Sequence, residues 1–458
     1  MRWSDWIFGA VFVYCSASVI SYLLNEHYIV ILLGLMFLIL AWFFYDKAVY
    51  FFLLTAPFMP LYAPGHMTDA LPGASLMILL LLSVWSYRKV VDQKSMRIIT
   101  LDKAVIVFGG WLLVTYVVHA SNPLDSFRML INFISNYGHL PVISLMYVVQ
   151  GIAVYFLVTD GLQNKILDKK LIVSTLVVCL ILIAGYGILD SMLIDKSEFY
   201  HGKNRATSLF FDPNSYGTFL ILLLPLAFAL YKEDSWISKL AIILGVIGLT
   251  TTFSRGAWIG VIFGGVYGGT LWLNHRLKLV KSARTYSLVL MIIPLLLIIG
   301  FLVTAAIGDP LTVQRKLQGR WYLWNAGINM AERTPLVGVG IGRYNENLKN
   351  YYDEGIEPWT TYEHAHNWYI QIGSEAGVIG LSLLFLILSL ILITGFIKIR
   401  KKGNSLDYML LIGIVAVLIH SLLDYTVRQL FIIIPFWTLI ALLNSPRQNK
   451  KKAKKRKK

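Results

Sequence analysis

The sequence predicts an all-α integral membrane protein: a bundle of about 12–14 transmembrane helices with one long extracytoplasmic loop. Three observations carry this. Of 458 residues, 57% are hydrophobic and only 14% charged, a balance far from that of soluble domains. Apolar runs of roughly 15–20 residues recur along nearly the whole chain, and each is long enough to cross the hydrocarbon as a helix. The runs are continuously apolar rather than alternating, which points to helices and not to a barrel.

In chain order the predicted spans are 7–24, 28–45, 48–62, 73–87, 103–119, 139–158, 170–188, 214–231, 237–253, 256–273, 286–306, 377–397, 407–421 and 429–444. The third and fourth are short and flanked by proline, which leaves the count between 12 and 14. The N-terminal run has no small-x-small cleavage site ahead of it and is expected to remain as an anchor. Cys15 and Cys179 both lie in apolar runs, so neither a disulfide framework nor a cysteine metal site is implied.

Orientation follows from the cationic links. Arg88, Lys89, Lys94 and Arg97 share one link, and Lys165, Lys169 and Lys170 another. Lys232 and Lys239 flank a third; Arg276, Lys278, Lys281 and Arg284 fill a fourth; Lys398, Arg400, Lys401 and Lys402 fill a fifth. With these spans, all five links and the C-terminal tail fall on one side, which the positive-inside rule makes the cytoplasm. Nine of the positive charges behind the net +16 sit in RQNKKKAKKRKK (447–458). A lysine cluster after a last membrane helix marks a cytoplasmic end touching anionic lipid, and no nucleic-acid partner is expected. Both termini are therefore expected in the cytoplasm. The organisation expected is N-terminal membrane helices over 1–306, the loop over 307–376 with short amphipathic helices, C-terminal membrane helices over 377–446, and a basic tail over 447–458.

Four extracytoplasmic features could carry chemistry. In NRATSLFFDPNSYG (204–217), Asp212 followed by Pro213 reads as a helix start, which accounts for Asp212 and Asn214 structurally. Arg205, just outside that start, could neutralise an anion. In TTFSRGAWIG (251–260), Arg255 lies between two apolar runs with almost no polar link. Such an arginine either snorkels to headgroups or faces the bundle interior. A helix N-terminus beside it would favour a phosphate or diphosphate.

The third feature is the long loop. It is rich in Trp, Tyr and Gly, so it reads as folded, and GRWYLWNAGINMAER (319–333) reads as an amphipathic helix against the membrane face. Arg320 lies among its aromatics, while Arg333 and Arg343 flank the glycine-rich TPLVGVGIG (334–342). The fourth is EHAHNW (363–368), where His364 and His366 stand between Glu363 and Asn367. Three readings stay open for the histidines: a polar cap on the loop–helix junction, a metal site short of ligands, or acid–base work. Glu375, at a helix entry, is either a dipole partner or a polar contact in the site. His420, Asp424 and Arg428, spaced by four, read as a salt-bridged turn.

Many spans, a long penultimate outside loop, the SRGAW entry (254–258) and an HxHN segment (364–367) followed by ExGxIGL (375–381) together resemble the O-antigen ligase and polymerase superfamily. The resemblance covers roughly residues 200–430. It implies a GT-C-type glycosyltransferase needing no metal or other cofactor. Such an enzyme transfers a glycan from an undecaprenyl-diphosphate donor to a glycan, lipid or protein acceptor at the outer face of the bacterial inner membrane, with inversion. It implies diphosphate binding by Arg255, Arg320 and Arg205, and catalysis by His366 with His364 in reserve. Asn367, Glu375, Arg343, Asp212 and Asn214 would support them. Membrane lipids and a polysaccharide chain-length regulator are the further partners expected. Polymerisation of repeat units is favoured over ligation because no acceptor-binding domain is appended. The rival classes are a lipid-linked-oligosaccharide flippase and a non-enzymatic scaffold; no duplicated half of the kind common in alternating-access proteins is visible.

Overall fold

A computed structural model describes residues 27–58, 71–92, 96–120, 140–198, 200, 204–210, 212–231, 236–277, 320–351 and 364–445. The predicted spans 7–24 and 286–306, Glu363 and the basic tail lie outside these residues.

The described residues form fourteen α-helices and no strand: α1 (His27–Phe43), α2 (Tyr45–Thr55), α3 (Leu71–Asp92), α4 (Thr100–Val118), α5 (Leu140–Gln163), α6 (Lys169–Leu193), α7 (Pro213–Leu230), α8 (Trp236–Thr251), α9 (Arg255–Leu277), α10 (Arg320–Arg333), α11 (Tyr344–Leu348), α12 (Trp368–Lys402), α13 (Ser405–His420) and α14 (Leu430–Asn444). Seven are long and apolar enough to cross a membrane, and four shorter apolar helices accompany them. The all-α membrane class is thus as expected, and α10 occupies the stretch read as an amphipathic loop helix.

Local chemistry sets the helix starts. Asp168 caps α6 by accepting from the Lys170 and Leu171 amides, and Asn404 caps α13. Asp212 caps α7 ahead of Pro213, the arrangement its sequence indicates. α9 packs along α13 at close range through one face of small residues. A Cβ on Gly260 would lie 2.5 Å from the Ala416 carbonyl oxygen, and one on Gly264 would lie 2.8 Å from that of Ile412. Close backbone approach through small residues is how helices associate where lipid offers no hydrophobic contrast.

Lysines meet buried acids at both ends of the bundle: near the start of α7 Lys196 pairs with Asp190 (2.7 Å), and at the opposite end three lysines do so. Lys89 pairs with Asp160, which also accepts from the Trp85 indole (2.9 Å) and Asn164 (2.7 Å). Lys169 and Lys398 both approach Asp407, at 3.8 and 3.6 Å, and donate to the carbonyls that end α14. At the other end lie the starts of α7, α9, α12 and α14, the ends of α8 and α13, and α10.

α12 begins at Trp368, nine residues before the predicted span, and is broken at Gly377, whose φ of 67° and ψ of −172° suit only glycine. The break is sealed by the glycine-rich segment after α10. Val339 and Gly340 amides donate to the Ser374 and Glu375 carbonyls, the Val378 amide donates to Pro335, and the Trp111 indole donates to the Ala376 carbonyl. A Cβ on Gly377 would stand 2.2 Å from the Leu336 carbonyl oxygen. This seam fixes α10 and the N-terminal turns of α12 against each other.

Candidate active site

Asn367 folds the HxHN segment. Its side chain caps α12 by accepting from the Tyr369 and Ile370 amides, and its own amide donates to the Leu422 carbonyl at 2.9 Å. The Trp368 amide donates to the Ser421 carbonyl. The histidines are thereby pinned to the turn after α13. His366 lies in the left-handed region (φ 48°), tolerated by histidine more than by most residues.

His366 Nδ1 stands 3.1 Å from Asp424 Oδ1. Facing a carboxylate oxygen, Nδ1 carries the proton, so Nε2 is left with a lone pair. The same Asp424 oxygen accepts the Tyr425 amide at 2.8 Å. The other oxygen accepts the Asn214 amide at 2.7 Å and lies 3.6 Å from an Arg320 nitrogen. Burial by itself would raise the Asp424 pKa. His366, by its charge when protonated and by its hydrogen bond, and then Arg320, outweigh it and hold the carboxyl well below the ordinary carboxylate range.

His364 packs beside His366 with ring centroids 4.2 Å apart, and its Nδ1 accepts the His366 amide at 3.1 Å. Burial foremost, then Arg428 and His366, keep its pKa well below the ordinary 6.5. An acceptor at Nδ1 and a suppressed cation agree: His364 is neutral.

The arginines converge from three elements. Arg255 is the first residue of α9 and sits at a helix N-terminus with its unpaired amides and positive dipole end, while Arg320 lies in α10. Ser254 caps α9 through its hydroxyl. Arg205 is anchored on the strand-like segment before α7: Nε donates to the Thr252 carbonyl (2.8 Å), Nη2 to Asn214 Oδ1 (3.3 Å), and its ring neighbour is Tyr200. Burial, and then the charges of Arg320 and Arg255, lower the Arg205 pKa against the pull of Tyr200 and Asp212. Arg255 is exposed. Arg320 and Arg255 both act on Arg205, and such a cluster of cations suits a polyanion.

Of the residues singled out in sequence, His364, His366, Arg205, Arg320 and Asn214 are joined through direct contacts or through Asp424, and Arg255 stands close enough to act on Arg205. Asp212 caps α7 and also accepts from Ser215. Glu375 does not reach this cluster. Its carboxylate accepts the Tyr344 amide (3.2 Å) and Gln371 (2.8 Å), bracing the seam at Gly377. Arg343 pairs with Glu346 at 2.9 Å.

Asp424 is the residue at the centre of this cluster that the sequence placed only in a salt-bridged turn. His420, Asp424 and Arg428 do lie at a turn, since α13 ends at His420 and Arg428 lies in a separate 3-10 turn (Thr426–Arg428), but Asp424 pairs with His366 and Arg320. His420 turns instead to Thr218 (3.2 Å). Asp424 also answers the missing-ligand objection to a metal: His364, His366 and Asp424 bring one potential ligand atom each within 4.8 Å of one another. Against a divalent cation stand the charges of Arg320 on Asp424 and Arg428 on His364, and the direct His366–Asp424 hydrogen bond.

A helical membrane bundle presenting cations around a histidine–carboxylate pair at one end is the class that fold and site define. Within it, residues 240–385 match the family model described as O-Antigen ligase, about a third of the chain. The match includes Arg255, Arg320, His364, His366 and Asn367, and stops short of Arg205, Asn214 and Asp424. The chain is also similar to the exopolysaccharide production protein ExoQ of Rhizobium meliloti (strain 1021). They are 32% identical over 113 residues, which is 22% of this chain and 24% of that protein. The chain thus spans about a quarter of the length of the curated relative it matches. The likeness is thus to the O-antigen ligase family over residues 240–385 and to ExoQ over a shorter stretch.

Proposed function

We propose that the chain transfers a glycan from an undecaprenyl-diphosphate-linked donor to an acceptor hydroxyl, and that its reaction is the polymerisation of repeat units for a cell-surface polysaccharide. The observation that carries this is the unbroken contact path from His366 through Asp424 and Asn214 to Arg205, with Arg320 on the same carboxylate. It sets a base beside a polyanion clamp. The charge pattern of the links supports the extracytoplasmic face of the bacterial inner membrane for this end.

The acceptor oxygen attacks the anomeric carbon as the bond from that carbon to the diphosphate oxygen breaks. The acceptor proton passes to His366 Nε2, and Asp424 stabilises the imidazolium. Charge builds on the departing lipid diphosphate, where Arg255, Arg320, Arg205 and the amides that open α9 meet it. Attack opposite the leaving group inverts the anomeric centre through an oxocarbenium-like transition state. The proposal is metal-independent: activity is expected to survive EDTA, and loss restored by a divalent cation would transfer the role of the His364–His366–Asp424 group to metal binding.

The family description favours a second reading, ligation of the finished glycan to lipid A core, protein or another envelope acceptor. Reconstitution with lipid-linked repeat units separates the readings. Longer lipid-linked ladders mean polymerase, transfer off the lipid means ligase, and carrier crossing without bond formation means a flippase and overturns both.

A further inference from the structure

We propose that Asn214 is a positioning residue whose amide keeps Arg205 and Asp424 apart, leaving Arg205 for the diphosphate and Asp424 for His366. This rests on the functional reading above.

Helix initiation does not require Asn214. Asp212 supplies the cap of α7, and the Asn214 backbone amide is already bound to Asp212 Oδ1 at 2.8 Å. The side chain is left for other work. Its oxygen accepts the Ser254 hydroxyl (2.9 Å) and Arg205 Nη2 (3.3 Å), while its nitrogen donates to Asp424 Oδ2 (2.7 Å). The amide orientation follows from chemistry: the reverse would point NH2 at a guanidinium and an oxygen at a carboxylate. The arrangement links the cap of α9, the Arg205 segment and the turn after α13 through one neutral group.

Neutrality is the point. Arg205 forms no ion pair with a described carboxylate, although Asp424 lies one amide away. A guanidinium and a carboxylate so placed would close into a bidentate pair if nothing intervened. That pair would withdraw Arg205 from an incoming diphosphate and cancel the charge that orients His366. Asn214 meets both groups with the complementary end of a dipole and neutralises neither.

Against His366 stand His364 on its own segment and Asp424 after α13, while Tyr425 and Arg428 act on His364 and Arg320 on Asp424. His420 and Arg205 lie beyond Asp424. The only charge altered in Asn214→Asp is the new carboxylate. Asn214→Ala adds no charge and removes the spacer.

The test uses the full chain in lipid nanodiscs with two readouts. Diethyl pyrocarbonate acylates imidazole only in its neutral form, so fragment mass spectrometry that reads the adduct on His366 against pH gives its midpoint. Binding of undecaprenyl diphosphate, the leaving group, reports the clamp. Asn214→Asp is expected to move the His366 midpoint up by roughly half a unit to one unit, because negative charge favours imidazolium. Asn214→Ala is expected to move it down by a similar amount, because Arg205 then reaches Asp424. Both weaken undecaprenyl-diphosphate binding about 5- to 10-fold. A merely structural residue would not give opposite signs. Shifts of the same sign, no shift in either variant, or unchanged binding beside a wild type that binds would overturn the proposal. If one variant fails to fold, the sign given by the other decides. If wild type binds no undecaprenyl diphosphate, the diphosphate reading fails on its own, and the two midpoints still decide the role of the amide.

Discussion

Asp424→Asn tests the catalytic pair with the least change of shape. Each Asp424 oxygen faces only donors: Oδ1 takes His366 Nδ1 and the Tyr425 amide, and Oδ2 takes Asn214 with Arg320 nearby. An amide has one acceptor, so some donor must meet NH2 in either orientation. If NH2 faces His366, Nδ1 must become the acceptor and the proton moves to Nε2, which removes the base. If NH2 faces Asn214, two NH2 groups oppose each other beside Arg320, and the imidazolium loses its counter-charge. Loss of a correctly held general base costs about 10²- to 10⁴-fold, which is roughly 2.7–5.4 kcal/mol on the barrier. The assay is the initial rate of glycan transfer from a lipid-linked donor by protein in proteoliposomes. A kcat reduced by that factor is expected, with donor KM within a few-fold, because the arginines remain. A variant that retains its thermal transition and turns over within threefold of wild type would refute the reasoning.

Further outcomes follow from the same geometry. Arg255→Lys is expected to lower kcat by about 10²-fold, since a point charge does not reproduce the planar fork at the α9 terminus; full activity would make Arg255 a lipid anchor. His364 is held neutral when folded, with its pKa below the unfolded 6.5. In that window the unfolded chain binds more protons, so stability falls as pH drops below 6.5. His364→Asn should flatten this fall in thermal melts between pH 7 and 5, and an unchanged slope would contradict it. Gly377→Ala places a Cβ against the Leu336 carbonyl at a φ of 67°. It should cost about 3 kcal/mol, read as a lowered melting temperature; a wild-type melt would mean that α12 is not broken there.

The fold was legible because membrane insertion is written locally. Each span is an apolar run, and caps such as Asp212-Pro213 announce themselves within three residues. Arg255 and Arg320 were legible for a related reason: a cation at the edge of an apolar run, or among the aromatics of an amphipathic stretch, stands out against its neighbours. Asp424 was hidden because its partners come from elsewhere in the chain, Asn214 being 210 residues away and His366 58. Its local neighbours, His420 and Arg428, offered a nearer and misleading explanation. Glu375 was ambiguous for the opposite reason. Its place in the sequence suggested a site, while its contacts lie with Tyr344 and Gln371 at a helix break that only the Gly377 backbone reveals.

The central claim is that His366 is the general base of glycan transfer. Its most direct measurement is the turnover of His366→Ala in proteoliposomes with a lipid-linked repeat unit, beside the undecaprenyl-diphosphate affinity of the same preparation. The expected result is transfer reduced by at least about 10²-fold with affinity retained, because Arg205, Arg255 and Arg320 are untouched. Near-normal transfer by a folded His366→Ala protein would contradict the claim.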